Sequence, residues 1–346
     1  MRWLLISLAV FFSLSVLGQE NERDTTYYKK YPKKLSAGSF IAIRNYALLI
    51  APEYNNVGVD SLRSNYQPNA SRIVGISLNL DRIGANLSVS IPDDFKSQEL
   101  YGTSRRIEAN LGFYQKKGIV GGQFIATQGF ADKNSTNYLD NVLDEDQFYV
   151  REDLRVWNVM TSYLHFWNWK KFSARSAISF SERQLKSAGT LVTSFQVRHF
   201  RVAGDSSIIP YPTRPFYLNL QNLQEVRFNE LTTGMGYAYT FVPAEYWFIH
   251  GAAQVEATFQ FQRYRETGMN FDDRFVVNPA LDYRISAGYS HDYFWLAVLF
   301  AGYADLYNLP DVVMAWSYFN VSFHFGIRIP TPRTINKVYR SAIPEQ

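Results

Sequence analysis

Apolar and polar residues alternate along most of this chain with a period of two, the pattern that sends successive side chains to opposite faces of a β-strand. Between Trp247 and Phe261 the odd positions read Trp247, Ile249, Gly251, Ala253, Val255, Ala257, Phe259 and Phe261. The even positions include His250, Gln254, Glu256, Thr258 and Gln260. Such a strand at about 3.3 Å per residue runs roughly 50 Å, and a tilt near 45° still leaves roughly 35 Å of height. That exceeds the apolar band of a bilayer, whereas soluble sheets manage with strands of about 5–6 residues. The pattern recurs. Phe319, Val321, Phe323, Phe325, Ile327 and Ile329 oppose Asn320, Ser322, His324 and Arg328; Leu281, Tyr283 and Ile285 oppose Asp282, Arg284 and Ser286; Ile107, Ala109, Leu111 and Phe113 oppose Arg106, Glu108, Asn110 and Tyr114.

Thirteen segments carry it: 38–51, 71–80, 83–91, 104–115, 118–130, 151–167, 171–181, 190–203, 224–241, 245–264, 278–290, 292–304 and 316–329. Tight turns at Asp81-Arg82, Lys116-Lys117-Gly118, Val242-Pro243-Ala244-Glu245 and Ser290-His291-Asp292 alternate with longer polar connections, notably 131–150 and 204–223. The expected fold is all-β, an up-and-down antiparallel transmembrane barrel. With both ends in the periplasm its strand number must be even. Counting back from the C-terminus puts 204–223 outside and 182–189 inside; counting forward from 38–51 reverses this. Segment 38–51 alternates least cleanly and is set aside, leaving twelve strands within a range of ten to fourteen. A hidden strand near 216–223 would instead give fourteen.

Composition sharpens the class. Met1-Arg2-Trp3 and the apolar run Leu4 to Val16, followed by Val16-Leu17-Gly18, read as a secretory signal peptide over 1–18, with the mature chain starting near Gln19. No cysteine follows Gly18 and none occurs anywhere, which excludes a lipoprotein anchor, disulfides and thiolate metal sites. After the signal no apolar run approaches the roughly 18 residues of a membrane helix. Aromatic residues make up 16% of the chain, an excess that suits a lipid-facing wall more than a soluble enzyme. The net charge of +4 contains no basic block, so nucleic acid is not an expected partner.

The candidate chemistry is sparse. His165, His199, His250, His291 and His324 show no metal-ligand spacing, and neither a metal nor another cofactor is expected. Arg106, Glu108, Arg175, Glu230, Glu256, Asp282, Arg284 and Arg328 fall on the predicted lumen face with balanced signs. Such charges either screen a narrow pore or close it by pairing. Trp247, Trp295 and Trp316 are candidates for an interfacial aromatic girdle, Trp247 and Trp295 because they follow turns. Gly234 and Gly236 leave room on the lumen face for a close neighbour, an inward loop or a bend. The apolar, Pro-rich 204–223 segment suits a loop that folds back into the lumen, docks on another protein or packs externally. Ser322 and His324 share a face, and with Glu256 or Asp282 they define the rival reading of a lipid or ester hydrolase. Phe323, Phe325 and Ile329 are, by analogy with other barrels, an assembly signal.

Five strings resemble domain-of-unknown-function family 4421, an uncharacterised family of Bacteroidota proteins: Tyr66-Gln67-Pro68-Asn69, Lys170-Lys171-Phe172-Ser173, Arg183 to Gly189, Asp205 to Pro210, and Gly236-Tyr237-Ala238-Tyr239. The likeness spans roughly residues 25 to 330. It implies a barrel-like outer-membrane protein and transfers no site residue. The expected organisation is a signal peptide (1–18), a periplasmic segment (19–37), a barrel (38–329) and a periplasmic tail (330–346), located in the cell outer membrane. The expected role is that of a non-catalytic narrow passive channel or a structural subunit of a membrane complex. Its expected partners are outer-membrane lipid, the barrel-assembly machinery and other outer-membrane proteins. A soluble periplasmic β-protein is the third reading.

Overall fold

A computed structural model describes residues 24–53, 62–91, 94–139, 148–217 and 219–342. The expected signal peptide, 1–18, lies outside the described residues. The chain runs β1 (Tyr28–Lys30), β2 (Lys34–Pro52), β3 (Ser64–Gln67), β4 (Arg72–Leu80), β5 (Ile83–Ser90), helix α1 (Phe95–Tyr101), β6 (Arg105–Tyr114), β7 (Gly118–Asp132) and β8 (Tyr149–Phe166). It continues through helix α2 (Arg175–Ile178), β9 (Glu182–Gln184), β10 (Ala188–Ala203), β11 (Leu223–Ala244), β12 (Trp247–Glu266), β13 (Asp272–Ser290), β14 (Phe294–Leu309), β15 (Val312–Pro330) and helix α3 (Arg333–Ala342).

Strand β15 pairs with β2 from Val312↔Pro52 to Pro330↔Lys34, which closes the sheet on itself. The wall is then β2, β4, β5, β6, β7, β8 and β10 to β15, twelve antiparallel strands. Closure removes every free edge and satisfies the backbone within the wall, the condition a sheet must meet in lipid. The expected count holds, but its composition is corrected twice. Segment 38–51, set aside above, is the closing strand β2. Segment 171–181 is not a strand: it contains α2 and belongs to an insert between β8 and β10. No strand lies at 219–222 or at the described residues 216–217, where a fourteenth was the alternative.

Strands β4 to β6 are short, and above them β3 pairs with β2 at Leu48↔Tyr66 and with β7 at Gln67↔Ala131. The wall therefore narrows from twelve strands to ten at this end. The turns at 81–82, 115–117, 245–246 and 291–293, with both described chain ends, lie at the opposite end. Short turns mark the periplasmic side in such barrels.

Outside, the wall is apolar. Ile41, Ile76, Leu111, Val255, Ile285 and Phe323 are each about half exposed, and their neighbours of the same parity continue the belt around the barrel. An apolar surface of this extent on a closed barrel is one that lipid covers. The protein is a transmembrane β-barrel of the outer-membrane type.

Candidate functional site

Among the described residues the lumen collects most of the buried charge, and packed side chains fill it toward both ends. On the outer side the described residues of the β10–β11 connection, 204–217 and 219–222, turn inward, as one of the sequence readings anticipated. Ile208, Ile209 and Tyr217 are fully buried and Leu220 nearly so. They pack on inward residues of the wall, among them Leu48, Ile50, Leu154, Phe228 and Met314, in one continuous apolar core. The Tyr307 ring stacks on Phe228 at 4.1 Å and on Phe200 at 5.6 Å, and those two stack on each other at 6.0 Å. Polar groups pin the backbone of this cap: Tyr66 Oη donates to the Ile208 carbonyl at 2.9 Å, and Arg151 Nη1 to that of Ser207 at 2.6 Å.

The periplasmic end is filled by the 167–187 insert. Phe180 stacks on Trp295 at 4.4 Å and meets Phe248 and His324. It does so at φ +52°, a left-handed conformation that a bulky side chain adopts only where its surroundings hold it. Arg328 Nη2 donates to the Phe180 carbonyl at 2.6 Å and Asn79 Nδ2 to that of Ser179 at 3.3 Å, so the wall grips the insert by its backbone. Strand β9 in turn pairs with β1, from Tyr28↔Gln184 to Lys30↔Glu182. Asp292, in the β13–β14 turn, accepts from Lys29 Nζ at 2.6 Å and Tyr31 Oη at 2.9 Å, and pairs with Arg183 at 3.2 Å. Partial burial pushes its carboxyl up, but those hydrogen bonds and the nearby cations outweigh it and hold the group below its usual range. Burial and the hydrogen bond to Asp292 push the Tyr31 phenol up to about 12.

Between cap and insert lies a polar chamber of about 330 Å³. Three charge groups line it. Arg44 and Arg106 both donate to Glu108, which also accepts from Tyr46 Oη at 3.0 Å, and Arg106 lies 3.5 Å above the Tyr46 ring. Arg198 bridges Glu230 at 2.5 Å and Asp305 at 2.8 Å, and donates to Tyr307 Oη at 2.7 Å. Glu256 accepts from Ser194 Oγ at 3.0 Å and Gln196 Nε2 at 2.9 Å, in space left by Gly234, whose missing side chain would meet Glu256. Asp282 and Arg284 face the same chamber, and Arg284 Nε is buried with no hydrogen-bond partner.

Of the eight charges expected inside, Arg106, Glu108, Glu230, Glu256, Asp282 and Arg284 occupy the wall of the lumen. Arg328 belongs to the grip on the insert. Arg175 is on α2, not on a wall strand; it pairs with Glu182 at 3.2 Å and lies over Tyr114. Arg44, Arg198 and Asp305 were not anticipated. Arg44 is on the strand that had been set aside, and Asp305 is one residue past the expected end of its strand.

The girdle also needs correction. Trp247 is 53% exposed on the outer face, where it meets Tyr289 edge-on. Trp295 and Trp316 are each 1% exposed and point inward. Position after a turn suggested the surface for Trp295, but its parity puts it opposite Leu296 and Val298, which face lipid. Its ring lies over Gly38 and Gly326, paired glycines whose lack of side chains makes room, and its Nε1 donates to Ser36 Oγ at 3.0 Å. Trp316 sits within the outer core and donates to Tyr303 Oη at 3.2 Å.

Ser322 Oγ and His324 Nε2 are 2.8 Å apart. Among the described residues no carboxylate hydrogen-bonds the other ring nitrogen, and the ring stacks on Phe40 at 4.9 Å. Among the described residues no group of three or more His, Asp and Glu is placed to hold a metal.

Among curated proteins, none matches the chain in sequence. Among solved structures, the translocator domain of autotransporter NalP from Neisseria meningitidis is 10% identical over 93% of this chain and 92% of that one, with a TM-score of 0.42. The outer membrane protease OmpT from Escherichia coli is 6% identical over 87% and 98%, at 0.40. The toluene transporter TodX from P. putida is 10% identical over 86% and 91%, at 0.31. Residues 22–328, which include every wall strand but the last two positions of β15, match one family model, and the chain belongs to that family, Domain of unknown function (DUF4421).

Proposed function

We propose that this protein works as a closed barrel of the outer membrane, a non-catalytic structural subunit of a membrane complex, and not as a standing passage for solutes. The observation that carries this reading is the apolar core that fills the outer half of the lumen. Fully burying an aliphatic or aromatic side chain is worth about 1.5–3 kcal/mol. Exposing Ile208, Ile209, Tyr217 and Leu220 would therefore cost roughly 6–12 kcal/mol before their partners on the wall are considered. A passage open by thermal fluctuation would then be rarer than about one molecule in ten thousand. Outer-membrane lipid, the assembly machinery and neighbouring outer-membrane proteins are the partners such a subunit would meet.

The hydrolase reading draws less support. A nucleophilic serine needs a base that a third group orients. His324 has the serine contact without the acid, and both residues lie between the two closures. Planar-bilayer recording of the purified, heat-modifiable barrel tests the proposal. Folded protein is expected to insert without conductance steps; reproducible open steps from wild-type barrel would sink it.

A further inference from the structure

The outer face of β10 to β13 carries an arrangement unlike the rest of the belt. Near the outer ends of these strands Arg201, Arg227 and Arg263 stand directly opposite one another in register, Arg201↔Arg227↔Arg263. Like charges in direct cross-strand register repel. Here Arg201, Arg227 and, from the same rim, Arg265 converge on the single carboxylate of Glu225, at 2.6, 2.7 and 2.9 Å. Glu225 is 1% exposed beneath them, whereas the three guanidinium side chains keep about a third of their surface open. Three positive charges on one carboxylate leave two in excess. Of the nearby carboxylates, Asp273 pairs with Arg263 at 2.7 Å and Asp205 with Arg155 at 3.4 Å, while Glu266 accepts from the Asn222 N–H at 2.8 Å and Asp272 stands opposite Tyr264. The Phe271 ring packs against Arg227 at 4.4 Å and Arg265 at 5.0 Å, which steadies the guanidinium planes.

One row closer to the membrane centre the register reads Asn229↔Phe261↔Phe275, and the next Leu231↔Phe259↔Val277. Phe261 and Phe275 are each 54% exposed and flank a groove of about 500 Å³ that reaches up to Arg263 and Arg274. Along β12 the arginine row stands sixteen positions from Trp247, at the other edge of the belt. At about 3.3 Å per residue and a tilt near 40° this is roughly 40 Å of height, about the thickness of a bilayer with its headgroup layers included. The excess charge thus lies at the level of the outer-leaflet headgroups, with a greasy groove just below.

We infer that this face is a binding site for a phosphate-bearing outer-leaflet lipid, its phosphate held by Arg227, Arg265 and Arg201 and its acyl chains laid along Phe261 and Phe275. Guanidinium groups suit this role because their planar donors match phosphate oxygens two at a time. A lipid is preferred to free phosphate because Phe261, directly below Arg263 on β12, opens onto apolar rows, although the hydrogen-bonded pair His199 and Asn229 stands below Arg201 and Arg227.

Native mass spectrometry of the full-length barrel in neutral detergent tests this, with phosphatidic acid and phosphatidylcholine of equal chain length as probes. Wild-type barrel is expected to retain phosphatidic acid preferentially, and Arg227→Gln or Arg265→Gln to reduce that preference about tenfold. Equal retention of the two lipids would overturn the assignment. Displacement of phosphatidic acid by an excess of inorganic phosphate would overturn it in favour of a free-anion site. Should the arginine variants fail to fold, Glu225→Gln decides: releasing the arginines from their carboxylate is expected to raise the preference for phosphatidic acid, and an unchanged or lowered preference rejects the site.

Discussion

Glu108 shows how much one buried carboxylate can organise. It is 3% exposed and accepts from Arg44, Arg106 and Tyr46, which reach it from β2 and β6, strands separated in the wall by β4 and β5. Two nitrogens of Arg106, Nε and Nη1, are buried without hydrogen-bond partners, so this guanidinium relies on Glu108 and the Tyr46 ring. Removing one member of a buried pair leaves uncompensated charge and costs about 3–5 kcal/mol. Glu108→Gln is accordingly expected to destabilise the barrel by about that amount, read as a lower denaturant midpoint for loss of the heat-modifiable form. A change under about 0.5 kcal/mol would mean that water or another group compensates the arginines. At this scale much was legible. Parity alone placed Arg106 and Glu108 inside, because a strand has only two faces. Their partner Arg44 was lost with its strand, and the inward turn of Trp295 was missed because the glycines that admit it, Gly38 and Gly326, are distant in sequence.

The reason β2 alternated least cleanly, and was set aside, is physical. Its outer half reads Tyr46-Ala47-Leu48-Leu49-Ile50, apolar on both faces, because one face meets lipid and the other meets the cap core. Alternation signals a strand only where the lumen is polar, and it fades where the lumen is packed like a protein interior. The reverse error produced the false strand 171–181. Phe172, Ala174, Ala177 and Phe180 are buried there among wall residues, so a polar–apolar rhythm arises without any sheet pairing. The pairing of β9 with β1 was illegible for another reason, since three-residue strands carry too short a pattern. Asp292 ties that pair to the barrel, and its depressed pKa fixes the pH at which the tie fails. A lowered folded-state value means the stabilisation is present above the usual 3.8 and is lost as pH falls through the folded value. Hydrogen exchange at Tyr28 to Lys30 is therefore expected to stay slow at neutral and mildly acidic pH, and to speed up only below about 3.8. Asp292→Asn should speed it at pH 7 (about neutral) while leaving the wall strands protected. Fast exchange of β1 in wild-type protein at neutral pH would show that the pair is not held by this aspartate.

The molecule as a whole stacks two closures of different character along one axis. The periplasmic insert is gripped by hydrogen bonds to its backbone, from Arg328 and Asn79, and by two small apolar clusters that Phe172, Ala174, Ala177 and Phe180 form with the wall. The outer cap is sealed by apolar burial. The apolar core around the cap is larger than those at the insert, and water competes poorly with apolar burial, so the cap is the dominant barrier. The architecture permits the two to be separated. Asn168 at the end of β8 already donates to the Gly189 carbonyl of β10 at 2.8 Å, so a short turn can join these neighbouring strands in place of the insert. Replacing 170–187 by such a turn is expected to leave the barrel silent in a planar bilayer. Changing Ile208, Ile209, Tyr217 and Leu220 together to Ser is expected to loosen the cap but still leave the insert in the path. Only the combined variant should give conductance steps, with the chamber of Arg44, Glu108, Arg198, Glu256, Asp282 and Arg284 as its narrowest charged stretch. Steps from the insert-less barrel alone would move the seal to the periplasmic side and make the outer core a porous packing. Silence from the folded double variant would mean that the paired charges of the chamber themselves block the lumen, which makes the barrel closed along its whole length.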